Sequence, residues 1–376
     1  MLYFDNAATS FPKAAGVGEA MKTYIDCVGV NVNRGVYAPA QEAALTVLTL
    51  RERLCKLFHH PDLTHVVLTA GATAALNFAI KGFLRPGDHV LVSSLEHNAV
   101  MRPLVQLGVA FDRVPCDSEG RLLPDAVEPL IRPNTRLFVL THASNVCGTI
   151  QDVAAVSALC KLYKVALLLD AAQTAGHFPI DFTALGLSAM AIPAHKGLLG
   201  PQGIGALLLT PEFAAQCEPL ITGGTGSVSD SESLPPYLPD RFESGTANLP
   251  GVYGWNAALD YVNQIGVDTL QSHEQALTRQ FLQGLSAAEQ IACPGTREAQ
   301  GRVGVIAVDF LRHDNAEIAD RLATEYGILT RCGLHCAPAA HRALGTFPRG
   351  VVRFSVGHKT TADEVTAVLA AIRALA

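Results

Sequence analysis

Two residues, 26 positions apart, could share one kind of chemistry. Asp170 closes the apolar run VALLLD and is followed by AAQT. Lys196 stands in AIPAHKGLLGPQGIG, between an apolar run and a glycine-rich turn, with no charge beside it other than a protonated His195. Aspartate at such a point is either a helix cap or a ligand-facing carboxylate. Lysine there is either an exposed loop residue or a desolvated amine of lowered pKa, which serves as nucleophile or base. Together they are what pyridoxal 5′-phosphate (PLP) requires: an amine that forms an imine with the aldehyde, and a carboxylate that keeps the pyridine nitrogen protonated so that the ring accepts electrons.

Other residues extend the set. In LTAGATAALNFAIK a strand runs into Gly71, Ala72 and Thr73 and then into a helix, whose free N–H groups and dipole favour a phosphate. His97, in SSLEHNAV, follows another strand end, where an imidazole can stack on a pyridine ring or be simply a partly buried polar group. Gln173, just after Asp170, is in reach of a ring oxygen. Near the C-terminus, RCGLHCAPAAHR places Cys336 among Arg331, His335 and His341, an electropositive setting that favours thiolate over the commoner buried, inert cysteine. Arg353 lies inside the apolar strand VVRFSV, where it needs an anionic partner such as a substrate carboxylate, unless the strand is an edge. Only Cys332 and Cys336 are close together, and a zinc site needs a second close pair, so no metal is expected.

These residues sit where alternating elements would present them. Candidate strands cover 65–69, 89–93, 111–114, 137–141, 166–170, 189–192 and 205–209, with helical spacing between most of them, as at 74–82 and 153–163. Such alternation predicts an α/β fold with a mostly parallel seven-stranded sheet covered by helices. Ligands bind at the carboxyl ends of strands in such sheets. From 222 to 250 a Gly/Ser/Pro-rich stretch reads as a long functional loop. Helices follow at 253–264 and 267–285. Strands near 304–309 and 351–356, with helices near 316–325 and 361–374, predict a small α+β C-terminal domain. The expected division is a large domain over 15–252 and a small one over 253–376, joined by residues 1–14.

Composition narrows the class. The chain has 376 residues, 49% hydrophobic and 16% charged, enough apolar content for a large core. A net charge of −6 leaves no basic excess for a nucleic-acid partner. No apolar run is long enough to span a membrane. MLYFDNAATS has no basic leader, so no signal peptide is expected. Nine scattered cysteines, an odd number in a long chain, argue against a disulfide framework and for a reducing cytoplasm.

In order and spacing, YFDNAATS, NRGVY, GATAALN, LEHNAV, THASNVCGT, LDAAQTAG, AHKGLLGPQGIG, RFESGTANLPG and RCGLHCAP resemble the class V aminotransferase-like PLP enzymes. Within them the resemblance is to the cysteine desulfurase and selenocysteine lyase group, and it runs nearly end to end. It implies the type I PLP-dependent transferase fold and a homodimer with sites at the subunit interface. It implies that Lys196 carries the imine, Asp170 pairs with the pyridine nitrogen, Gln173 with the ring oxygen, and His97 stacks on the ring. Gly71, Ala72, Thr73 and His195 would hold the phosphate, with Thr246 reaching in from the partner subunit. Asn145, Arg331 and Arg353 would hold the substrate amino acid, Asn145 would also contact the cofactor, and Cys336 would accept sulfur.

The implied reaction converts L-cysteine to L-alanine, with Lys196 taking the Cα proton and the sulfur left as a persulfide on Cys336 for an acceptor protein. L-selenocysteine is the alternative substrate. Another class V aminotransferase-like activity, or an epimerase, would not need Cys336, and a non-catalytic sulfur carrier would not need Lys196. Two positions depart from the family. Pro193 stands where a serine usually binds phosphate, and Tyr37 stands where a histidine often follows NRG.

Overall fold

A computed structural model describes residues 1–286 and 290–376. Its large sheet has seven strands in the order Val66–Thr69, Gly205–Leu209, Ala189–Pro193, Ala166–Asp170, Thr135–Thr141, His89–Ser93, Ala110–Val114. The five strands from Ala189–Pro193 to Ala110–Val114 are mutually parallel, while Gly205–Leu209 runs antiparallel to both its neighbours. Successive side chains along each strand enter opposite cores. Leu167 and Leu169 join one apolar cluster and Leu168 joins the other; Met190 and Ile192 likewise oppose Ala189 and Ala191. A sheet apolar on both faces needs helices on both. Val153–Tyr163, Ala38–Phe58 and Leu249–Ile265 cover one face, and Ala72–Phe83 and Asn98–Leu107 the other.

Every strand expected from the sequence in this sheet is present, with ends shifted by at most two residues. The helices Ala38–Phe58 and Asn98–Leu107 are additions. Pro103 inside Asn98–Leu107 removes a backbone donor and masks the helical pattern.

The second unit is a four-stranded antiparallel sheet in the order Arg331–Gly333, Val351–Ser355, Val305–Phe310, Ile291–Ala292. Val267–Leu285, Asn315–Tyr326 and Ala362–Leu375 enclose its core around Phe281, Phe310 and Phe354. The N-terminus belongs to both units. Leu2–Tyr3 pairs in parallel with Ile328–Leu329, Phe4 enters the small core, and residues 9–13 wrap the turn that carries Lys196. The boundary expected at 252/253 falls inside the continuous helix Leu249–Ile265. Val252, Trp255, Leu259 and Val262 of that helix bury into the large core. The chain turns at Gly266, whose φ of +87° suits glycine, before the helix that serves the small core.

Candidate active site

The carboxyl ends of the parallel strands open on a cavity of about 450 Å³. Gly71, Ala72, Thr73, His97, Asn145, Asp170, Gln173, His195 and Lys196, nine residues scattered over 126 positions, all line it. Each is held by its own local logic.

The helix Ala72–Phe83 begins at Gly71 with no side chain capping its first turn, so its leading N–H groups are free to meet an anion. Gly71 has a φ of +144°. The neighbouring strand lets this turn approach because position 205 is also glycine: a Cβ there would lie 2.7 Å from the Gly71 Cα and 2.5 Å from the Ile192 carbonyl oxygen. Pro193 is in the cavity wall and offers no hydroxyl.

Asp170 is buried at its strand end and accepts a hydrogen bond from the Ala172 N–H at 3.0 Å. Burial raises its pKa, an effect opposed by that hydrogen bond and by Lys196. Gln173 donates to the Ala7 carbonyl at 3.1 Å, which ties the wall to the N-terminal segment. His97 is the N-cap of Asn98–Leu107, its Nδ1 accepting from the Ala99 N–H at 3.0 Å. That bond leaves the proton on Nε2. Burial, then the nearby Lys196, push its pKa down to about 4, so the ring is neutral.

Lys196 follows the strand Ala189–Pro193. Burial pushes its pKa down to about 8, with Asp170 pulling the other way. Its turn is fixed from outside: the His195 carbonyl accepts from the Ser10 N–H at 2.9 Å and from Lys13 Nζ at 3.0 Å. The His195 ring shares a hydrogen bond with Thr9 Oγ1 at 3.1 Å and is pushed down to about 4, chiefly by burial.

Apart from Thr246, the remaining expected residues come from the small unit. Arg353 lies on Val351–Ser355 between two partner strands, so it is interior rather than on an edge, and it is only 3% exposed. Its Nη1 donates to the Asn145 carbonyl at 3.1 Å and its Nη2 to Asp5 Oδ1 at 3.1 Å. Arg331, half exposed, donates to Asp5 Oδ2 at 2.8 Å. Two guanidiniums on one carboxylate leave one positive charge uncompensated.

Cys336 is exposed. It and His335 both adopt left-handed backbone, with φ of +57° and +47°. Two hydrogen bonds hold that turn against the cavity: the Asn98 N–H donates to the Cys336 carbonyl at 2.7 Å, and Asn145 Nδ2 donates to the His335 carbonyl at 2.7 Å. The short helix Pro338–Ala343 begins two residues after Cys336. Cys332 lies on the strand Arg331–Gly333 and packs against the small core. Thr246 is exposed and does not line the cavity of its own chain.

Four residues have no role assigned from the sequence. Asp5 joins two arginines more than 320 residues away. Glu96, fully buried, accepts from Ser93 Oγ at 2.6 Å and from the Thr141 N–H at 2.8 Å, and so ties two strand ends beneath His97. Burial pushes its pKa up to about 8. His177 and Glu274 lie behind Lys196. The signal for the first two was proximity to quoted motifs, YFDNAATS and LEHNAV; His177 and Glu274 left none.

A helix-covered α/β sheet with a free helix N-terminus, a buried carboxylate and a lysine at its strand ends defines a PLP enzyme of the type I fold. The family model for Aminotransferase class-V matches residues 2–368, and the chain belongs to that family. A probable cysteine desulfurase of Methanothermobacter thermautotrophicus is 32% identical over 371 residues, which cover 97% of this chain and 92% of the relative. A cysteine desulfurase of Klebsiella pneumoniae subsp. pneumoniae is 32% identical over 348 residues, covering 90% of this chain and 84% of the relative. Among solved structures, the apo cysteine desulfurase of Thermococcus onnurineus NA1 matches with a TM-score of 0.92 at 29% identity, over 100% of this chain and 94% of that one. PLP is the cofactor of this family, and the cavity fits it: uncapped N–H groups for the phosphate at one end, a buried carboxylate for the ring nitrogen at the other, and Lys196 in the wall.

Proposed function

We propose that this chain is a PLP-dependent cysteine desulfurase that takes sulfur from L-cysteine onto Cys336 and releases L-alanine. The observation that carries the reading is the pinning of the His335–Cys336 turn to Asn145 and Asn98, two positions on the rim of the cofactor cavity.

In this reading Gly71, Ala72, Thr73 and His195 hold the phosphate, and Asp170 keeps the ring nitrogen protonated. Gln173 meets the ring oxygen, and His97, neutral, lies over the ring. PLP bound there supplies an electron sink that lets the substrate Cα proton leave. Lys196 Nζ, with its pKa near 8, takes that proton and later returns it. Arg353 and Arg331 turn part of their charge from Asp5 to the substrate carboxylate, and Asn145 orients the same group. Cys336 Sγ attacks the substrate sulfur; the Cβ–S bond breaks, an S–S bond forms, and the carbon skeleton gains a proton to become L-alanine. The persulfide passes on to an acceptor protein.

Three wider statements belong to the same reading. The chain works as a homodimer, with Thr246 entering the partner's cavity. Exposed Val36 and Tyr37 lie on a segment tied to the 222–240 loop by Asn33 and Arg34, whose side chains donate to the Thr225 and Gly226 carbonyls at 3.0 Å each. Exposed apolar side chains on that segment, and an exposed Thr246, suit a subunit interface. The chain divides into a large and a small unit, with the N-terminal segment shared and the junction at Gly266. It resides in the cytoplasm, a reducing compartment that suits nine free cysteines.

The test is product analysis. L-Cysteine should yield alanine and sulfide in the presence of a thiol, and L-selenocysteine assayed beside it sets the preference. Alanine formation without sulfide, or neither, contradicts the proposal.

A further inference from the structure

Lys196 borders two cavities. The front one is the cofactor cavity. Behind it lies a second, of about 50 Å³, between the lysine turn and the small unit. Its wall is unusually rich in imidazole: His177, His273 and His358 all face it, with Glu274 and Ser10.

The groups are arranged. His177 Nδ1 lies 2.8 Å from Glu274 Oε2, and both side chains are largely buried. Glu274 Oε1 in turn accepts from the Gly304 N–H at 2.7 Å, so the carboxylate is fixed from the small unit. His177 packs directly on the lysine turn. A Cβ at position 197 would come within 2.1 Å of its Cδ2, so only glycine lets the ring stand beside Lys196. Further out, His273 Nε2 and both ring nitrogens of His358 are buried without a protein partner. A buried polar nitrogen left unpaired is costly, because it has given up its hydrogen bonds to water. Three of them around one cavity call for water, and one water needs only about 10–15 Å³. His273 and His358 are themselves only partly buried, which puts this end of the cavity near bulk solvent.

We propose that this rear cavity is hydrated and is the path by which Lys196 exchanges its proton with solvent, with His177 as the inner relay. The inference rests on the reading of Lys196 as the group that carries the substrate proton. Once cofactor and substrate fill the front cavity, the rear is the side of the lysine that still meets water. A proton leaves Lys196 Nζ for a cavity water, which releases one to His177 or to the next water; the return runs in reverse, and nothing is oxidised or reduced. Burial opposes charge on His177, but Glu274 outweighs it and raises the imidazole pKa above its ordinary value, so the ring can hold a proton as well as pass one on. His358 is pushed down to about 4, by burial and then by Lys359, and stays neutral, one nitrogen donating and one accepting.

The experiment follows deuterium. L-Cysteine deuterated at Cα is turned over in ordinary water, and the deuterium retained in alanine is measured by mass spectrometry. Wild type should retain little. A His177→Gln/His358→Phe double variant should retain several-fold more, because the proton on Lys196 returns before it exchanges. A purely structural defect slows turnover without moving this ratio. Equal retention in both proteins overturns the proposal. A second measurement uses the cofactor-free wild type: magnetisation transfer between water and the His358 ring should be seen in NMR, and a dry His358 overturns the proposal as well. Should no alanine form at all, the desulfurase reading fails, and the hydration measurement still decides the cavity.

Discussion

The two halves of the site are built on opposite principles. The cofactor half stands on the ends of neighbouring strands in one sheet, and its Asp170 and Lys196 are separated by one parallel strand pairing. Nothing there needs to move for the groups to converge. The sulfur half is a short turn in the small unit, exposed, with two consecutive non-glycine residues in left-handed backbone. Such backbone costs roughly 1–2 kcal/mol per residue, and here two 2.7 Å hydrogen bonds to the other half offset it. One half positions by framework and the other by local anchoring. In the proposed reading Cys336 reaches both a buried substrate and an external acceptor, a task better served by the second.

The largest test of this contrast is in the framework. Lys196→Ala should abolish covalent cofactor attachment and lower turnover by at least about 1,000-fold, within the range of a lost acid–base group. Absorbance of the bound cofactor and alanine release are the readouts.

Asp170→Asn should keep the cofactor bound but lose about 100-fold in turnover, or ~2.7 kcal/mol of barrier. Asparagine caps helices as well as aspartate does, so an Asp170 that merely caps would leave activity intact.

Asn145→Ala strikes the anchoring half. It frees the His335 carbonyl while leaving the backbone acceptor for Arg353 in place. The loss of that hydrogen bond, about 1 kcal/mol, should by itself lower turnover about fivefold, and the loss of the amide that orients the substrate should lower it further, with the cofactor still bound. Loss of the bound cofactor in Asn145→Ala would mean that the two halves are not separable.

The smallest effect is on stability. The folded-state pKa of Lys196 is about 8, below its usual 10.5. Between those values the unfolded chain binds more protons, so this group adds stability as pH rises from 8 to 10.5 and is fully destabilising below 8. In the cofactor-free protein, Lys196→Met should therefore raise Tm at pH 7, and the gain should shrink across that window. A gain that grows with pH would contradict the assigned shift.

The same contrast explains what could be read from the sequence. Strand ends were legible because apolar runs such as VALLLD and AMAIP stop sharply at a polar or turn residue, and binding at strand ends follows from the topology. Asp5 was not. Its partners Arg331 and Arg353 lie at the other end of the chain, and no local pattern encodes a contact across 326 residues. Glu96 sits next to His97, but nothing in SLEHNAV says which of the two faces the cavity and which the interior. The helix Leu249–Ile265 was cut short on paper because its first turn contains Pro250 and Gly251, which read as loop, although proline is favoured at a helix start. Cys336 was legible only through its motif, since both it and Cys332 lie in the same short segment.

That choice is the centre of the account. Cys332 packs on its strand against the small core, while Cys336 is exposed at the rim of the cavity. Enzyme mixed with L-cysteine, trapped with an alkylating agent and mapped by mass spectrometry should carry the persulfide on Cys336 and none on Cys332. Cys336→Ser should bind the cofactor and form no persulfide. A persulfide on Cys332, or full sulfide release by Cys336→Ser, would contradict the account.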